Sequence, residues 1–205
     1  KGDLKTFVLG VNDHEYKNEK IIDNASCTTN CAAPMMLVLE KEFGIEKAML
    51  TTVHSYTASQ VLQDAPNKDL REGRAAAENL VPTSTGAAIA VTLTVPSLKN
   101  KFDGMSVRVP TPVVSLSDVT MLLKRSTTKE ELNDTLKKAS AEPYYQGILS
   151  VSDDPLVSSD FIGNSHSGIV DSELTNVVDG NLAKVVTWYD NEWGYSNRLV
   201  ELSAD

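Results

Sequence analysis

Cys27 lies in the run Ala25-Ser26-Cys27-Thr28-Thr29-Asn30-Cys31, at the start of a stretch that reads as a helix. A cysteine at a helix N-terminus meets unpaired backbone N–H groups and the positive end of the helix dipole, and both favour the thiolate. The thiolate is the nucleophile, so this placement suits covalent catalysis, although a small buried residue beside a helix cap would look the same. Cys31, one turn on, reads as core. The hydroxyls of Ser26, Thr28 and Thr29 suit either capping or anion binding. His54 stands in Thr51-Thr52-Val53-His54-Ser55-Tyr56-Thr57, at the end of a predicted strand. Alone it reads as a satisfied histidine at the edge of a core. Brought next to Cys27 it becomes the base that activates a thiol.

A second group has anion-binding character: Thr57, then Pro82-Thr83-Ser84-Thr85-Gly86, then Arg108. Hydroxyls, a glycine that admits close backbone approach and one outward arginine would suit a phosphate-bearing ligand. Turns are rich in such residues anyway. No G-x-G-x-x-G and no Walker P-loop occurs, so a complete dinucleotide fold is missing from the sequence. The 3 histidines and 2 cysteines match no zinc spacing, and no metal site is expected.

The elements that must carry these residues can be read from periodicity. Thr6 to Val11 is a short apolar run and reads as a strand. Thr28 to about Phe43 reads as a helix that is apolar on every side, hence buried, with Pro34 predicting a kink or an irregular first part. Gly44 ends it, and Lys47 to Thr57 reads as a strand. Residues 58 to 84 read as a long polar connection with at most a helical turn at Arg74 to Glu78, and such loops are usually functional or disordered. Alternation at Met105, Val107 and Val109 points Arg108 away from the buried face; Val119, Met121 and Leu123 continue it in a further strand. Thr127-Thr128-Lys129-Glu130 is a capping box opening a surface helix to about Ser140, with Leu132, Leu136 and Ala139 as its apolar stripe. Short strands are predicted at Ile148–Val151, Gly168–Leu174 and Ala183–Tyr189, and a helix after Asn191. Without regular βαβ alternation the pattern favours an α+β fold.

Over 205 residues, 41% are hydrophobic and 23% charged, the composition of a globular protein with a sizeable core. No apolar run reaches the roughly 20 residues of a membrane helix, and no signal-peptide pattern opens the chain. The expectation is no membrane partner and a cytoplasmic location, where free thiols persist. With 19 basic against 28 acidic residues the formal charge is −9, which argues against a nucleic-acid partner. The opening Lys1-Gly2 offers no initiating Met and leans towards a piece of something longer.

Ala25 to Cys31, Arg108-Val109-Pro110-Thr111-Pro112 and Trp188-Tyr189-Asp190-Asn191-Glu192-Trp193-Gly194-Tyr195-Ser196 together resemble phosphorylating glyceraldehyde-3-phosphate dehydrogenases. The resemblance runs from about Thr6 to Leu202. It implies the C-terminal catalytic domain over residues 1–205, with 1–25 a remnant strand and linker from an absent N-terminal NAD-binding domain. It also implies a large mixed, mostly antiparallel sheet with helices on one face. By the same resemblance Cys27 is the nucleophile and His54 its base. Thr57 and Arg108 bind the substrate's phosphate, and Ser26, Thr28, Thr85 and Gly86 receive inorganic phosphate. Asn191 and Tyr195 lie against the nicotinamide of NAD, with NADP left open. Residues 58 to 84 match a loop that packs between subunits, and a homotetramer is implied. Ile89 departs from the family, which commonly has Lys there.

The activity implied is oxidation and phosphorylation of D-glyceraldehyde 3-phosphate. Erythrose-4-phosphate dehydrogenase is the alternative within enzymes. The alternative outside them is a non-catalytic assembly or interaction fragment. The isolated chain is expected to be inactive, because hydride transfer needs a bound nicotinamide.

Overall fold

The computed structural model describes residues 4–204. Helix α1 (Cys27–Phe43) begins where Ser26 keeps an extended backbone and its Oγ accepts from the N–H of Thr29 at 3.1 Å. Asn30 fixes the chain's entry: its Nδ2 donates to the carbonyls of Asn24 (2.8 Å) and Ser26 (3.0 Å). The helix runs through Pro34 as one element and stops at Gly44, whose φ of +66° most other residues would resist.

Among the described residues seven strands form one sheet in the order β2-β3-β1-β4-β7-β6-β5. They are β1 (Ile45–Ser55), β2 (Val81–Ser84), β3 (Phe102–Val109), β4 (Ser115–Leu123), β5 (Leu149–Ser152), β6 (Gly168–Val178) and β7 (Leu182–Tyr189). The β1/β3 and β5/β6 pairs are parallel and the others antiparallel. The fold is therefore α+β with a mixed, mostly antiparallel sheet, as expected.

Three helices, α1, α2 (Ala87–Thr94) and α3 (Lys129–Ser140), pack on one face, and α4 (Trp193–Ala204) lies against α1. Alternation decides which face. Leu50 of β1, Val119 and Met121 of β4, and Val185 of β7 join Met35, Met36 and Leu39 of α1 in one core, all but excluded from solvent. Leu132, Leu136 and Ala139 of α3 complete it. Residues of opposite parity, such as Met49, Met105 and Leu182, stay exposed on the other face. The seat of α1 is close: a Cβ on Gly168 would lie 2.9 Å from the Cys31 carbonyl oxygen, so only glycine lets the helix approach β6 this far.

Four expectations need correction. The face of β3 that carries Met105 is the one without helices, and Arg108 shares the covered face with Phe102 and Ser106, because the register with β1 and not the local alternation decides which side is packed. Thr6 to Val11 is not a strand. Only Thr6 pairs, through an isolated parallel bridge to Asp23, and residues 9–12 then turn. Asn12 closes that turn by accepting from the N–H of Val8 and donating to the carbonyl of Thr6, both at 2.9 Å, so local side-chain bonds replace a ladder. Within the supposed loop, Val81–Ser84 is the edge strand β2, where Pro82 is tolerated because one side of the strand needs no partner. Helix α2 was not anticipated, since its apolar, partly β-branched sequence carries no helical stripe and only tertiary packing selects the conformation. A smaller shift concerns α3, capped by Thr128, which accepts from the N–H of Glu131.

Candidate active site

The parallel β1/β3 pairing sets His54 directly beside Arg108. On β1, Thr52 and His54 share the face that α1 covers, and the first residue of α1 is Cys27. The result is a short chain of contacts: Cys27 Sγ lies 3.5 Å from His54 Nε2, and His54 Nδ1 lies 2.5 Å from Arg108 Nη1. Nδ1 is also 2.7 Å from the Ser55 carbonyl oxygen, which Arg108 Nη1 approaches at 3.2 Å.

His54 is buried, and Cys27 is only partly open to solvent. Burial pushes the Cys27 thiol up, opposed by the neighbouring Thr28 and by the charge of Arg108. Burial, with the Arg108 charge second, lowers His54 to about 4. A charge on either partner alone is thus disfavoured. A proton passed from Sγ to Nε2 creates both charges side by side, where each stabilises the other. The site is built for paired charge and against a lone thiolate or a lone imidazolium.

Tyr189, the last residue of β7, holds this pair from beneath. Its hydroxyl is 2.8 Å from that of Thr28 and 2.9 Å from that of Thr52. Its ring meets the His54 ring edge to face, with centroids 5.9 Å apart. Thr52 donates to the Leu116 carbonyl (3.1 Å), so it accepts from Tyr189, which in turn accepts from Thr28.

Asn191 is buried beside the site. Its Oδ1 accepts from the hydroxyls of Ser55 (2.9 Å) and Ser115 (3.0 Å), and its Nδ2 donates one hydrogen to Glu192 Oε1 at 3.1 Å. Asp190 anchors the turn that presents it: one carboxylate oxygen accepts from the N–H groups of Glu192 and Trp193, the other from that of Gly163. Ser115 follows Val114, a β-branched residue held at φ +72°, which costs on the order of 1–3 kcal/mol and persists only because the surroundings impose it. Tyr195 is half-buried, and its hydroxyl donates to the Ala25 carbonyl at 3.3 Å.

Of the residues singled out from sequence, Cys27, His54 and Arg108 are in direct contact. Thr28 joins them through Tyr189, and Asn191 through Ser55. Ser26 spends its oxygen on the helix cap. The Thr57 hydroxyl lies 3.2 Å from that of Ser59, and Thr85 accepts from the N–H of Ala87 within its own turn. Open space lies where a Gly86 side chain would be. These three form no bond to the Cys27–His54 pair. Tyr189, Thr52, Ser55 and Ser115 were missed: Tyr189, Thr52 and Ser55 lay within runs already noted but carry no local signal of their own, and Ser115 lay outside them. No cluster of three or more potential metal ligands occurs among the described residues.

Residues 26–191 match the family described as "Glyceraldehyde 3-phosphate dehydrogenase, C-terminal domain". A protein of Borreliella burgdorferi named glyceraldehyde-3-phosphate dehydrogenase is 54% identical over 205 residues, covering 99% of this chain and 61% of its own length. One of the same name from Mycobacterium avium is 57% identical over 200 residues, covering 97% of this chain and 58% of its own. Glyceraldehyde-3-phosphate dehydrogenase 2 of Streptomyces avermitilis is 54% identical over 201 residues, with 97% and 60% covered. The chain thus spans about 60% of the length of these relatives. By this match and these relatives, the chain belongs to the C-terminal domain family of the glyceraldehyde 3-phosphate dehydrogenases.

Proposed function

We propose that this chain is the catalytic domain of an enzyme that oxidises and phosphorylates D-glyceraldehyde 3-phosphate to 1,3-bisphosphoglycerate. The observation that carries the reading is the contact between Cys27 Sγ and His54 Nε2 at 3.5 Å, with Arg108 against the far side of the same imidazole. Cys27 adds to the aldehyde carbon, and its proton passes through His54 to the former carbonyl oxygen, giving a neutral thiohemiacetal and a free base. His54 then takes the hydroxyl proton as hydride departs, leaving a thioester on Cys27. Arg108, with Thr57, holds the substrate's own phosphate by charge-assisted hydrogen bonds. Inorganic phosphate, received near Ser26, Thr28, Thr85 and Gly86, attacks the thioester, releases the acyl phosphate and restores the thiol.

NAD, or NADP, supplies the hydride acceptor when bound. Asn191 fits its nicotinamide end, since the second Nδ2 hydrogen is left for a carboxamide oxygen, and Tyr195 lies close by against Ala25. The remainder of the cofactor would sit on a separate N-terminal domain, to which residues 1–25 serve as a linker. The exposed apolar residues Met49, Met105 and Leu182 support association of this sheet face with further copies, up to a homotetramer. A cytoplasmic location suits a free nucleophilic thiol.

The test joins this chain to the N-terminal part of the Borreliella relative and follows NADH formation with D-glyceraldehyde 3-phosphate and phosphate. Turnover that Cys27→Ser abolishes is expected, and none from the chain alone. Faster turnover of erythrose 4-phosphate would replace this substrate with that one. Turnover indifferent to Cys27→Ser would overturn the mechanism.

A further inference from the structure

The geometry points to Arg108 as the residue that decides which ring nitrogen of His54 carries the proton, and to an anion bound by Arg108 as what reverses that choice. This rests on the catalytic reading above and adds to it a coupling between phosphate binding and the readiness of the base.

His54 Nδ1 has two near neighbours of opposite kinds. The Ser55 carbonyl oxygen, at 2.7 Å, can only accept; Arg108 Nη1, at 2.5 Å, can only donate. One nitrogen cannot serve both. With a proton on Nδ1, the bond to Ser55 is good but the ring N–H faces the guanidinium N–H. Without it, Nδ1 accepts from Arg108, while Nη1, also 3.2 Å from the Ser55 oxygen, offers its second hydrogen there. In that arrangement the arginine serves both acceptors. The free chain therefore keeps Nδ1 bare and carries the ring proton on Nε2.

An Nε2 bearing its proton is a donor towards Cys27 Sγ and cannot take the thiol's proton. Arg108 is free to leave. Its Nε is buried without a partner, and no carboxylate pairs with it among the described residues. When a phosphate monoester draws the guanidinium away, Ser55 loses its donor and Nδ1–H takes over that bond. One proton leaves Nε2 to solvent, one arrives at Nδ1, and the ring stays neutral. Nε2 then presents its lone pair to the thiol at 3.5 Å. Transfer of the thiol proton gives thiolate and imidazolium together. The groups facing the imidazole are Cys27 from α1, Arg108 from β3 and the Tyr189 ring from β7, with Glu192 acting on Cys27.

The experiment is imidazole 15N–1H correlation on the 15N-labelled 205-residue chain, whose 3 histidines make His54 assignable by its loss in His54→Asn. Expected is a protonated Nε2 and bare Nδ1 in the free chain, and the reverse with saturating glycerol 3-phosphate or in Arg108→Met without ligand. Glycerol 3-phosphate should also speed iodoacetamide alkylation of Cys27 by about tenfold or more, short of the 10²–10⁴ of a fully poised base, and do nothing in Arg108→Met. The same tautomer in the wild-type chain with and without glycerol 3-phosphate overturns the proposal, and this arm needs no variant to fold. If His54→Asn moves the alkylation profile while the tautomer stays constant, only the Arg108 coupling fails. If His54→Asn moves nothing, the Cys27–His54 reading fails with it.

Discussion

The Tyr189 hydroxyl lies 2.8 Å from that of Thr28, so the last residue of β7 touches the residue that follows the nucleophile. The bond reaches across β4, since the same hydroxyl also meets Thr52 on β1 at 2.9 Å. Helix α1 and strand β1, which carry Cys27 and His54, are thereby tied to one point.

Tyr189→Phe removes that point and keeps the ring against His54. The buried hydroxyls of Thr28 and Thr52 lose a partner, a cost of about 1–3 kcal/mol. The expected result is a lower urea midpoint together with slower Cys27 alkylation at neutral pH. An unchanged alkylation rate in a destabilised variant would mean that the tyrosine holds the fold but not the pair.

His54→Asn should raise the apparent pKa of Cys27. Burial already pushes the thiol up, and the imidazole at 3.5 Å is the group that favours its thiolate, as an Nε2–H donor in the free chain and as the proton's acceptor once an anion draws Arg108 away. With that group gone, the pH at which alkylation is half-maximal moves upward, past the roughly 8.5 of a free thiol. A downward shift would contradict the assignment of His54 as base.

Acid sensitivity has a definite sign. His54 is lowered from 6.5 in the unfolded chain to about 4 when folded. Between those values the unfolded chain binds the proton more readily, so stability falls as pH drops from 6.5 towards 4 and loses nothing more from this group below. Denaturation midpoints of the wild-type chain should decline over that window, and those of His54→Asn should decline less. Parallel curves would count against a neutral, buried imidazole.

Gly168→Ala tests the seat of α1. The added Cβ would stand 2.9 Å from the Cys31 carbonyl oxygen and as close to the Thr187 side chain, and backbone cannot yield cheaply there. A loss of about 1–3 kcal/mol is expected, with a change in Cys27 reactivity because the helix that carries it must shift. Wild-type stability in Gly168→Ala would show that α1 has room to spare.

Much of this site was legible one residue at a time. Ser26 reads as a cap and is one; Cys27 reads as the start of a helix and is its first residue. Met35, Met36 and Leu39 announced a buried helix, whereas the alternation in β3 misled: Met105 is exposed, and Arg108 stands on the helix-covered face with Phe102 and Ser106, beside His54. Where the reading failed, local pattern and tertiary context disagreed. The apolar run Thr6–Val11 found a single bridge, at Thr6, and a turn closed by Asn12 in place of a ladder. Residues 58 to 84 read as a connection, but Val81–Ser84 pairs as an edge strand, where Pro82 is tolerated.

Residue types, caps and hydrophobic periods are properties of neighbours along the chain, and the sequence by itself determined these: the nucleophile on its helix, the histidine on its strand, the α+β class. Strand order is a property of neighbours in space. Only the tertiary structure set β3 parallel to β1 so that Arg108 faces His54, and brought Tyr189 under both Thr28 and Thr52. Contacts between residues 54 or 161 positions apart leave no periodicity to read, because they depend on how every intervening element packs.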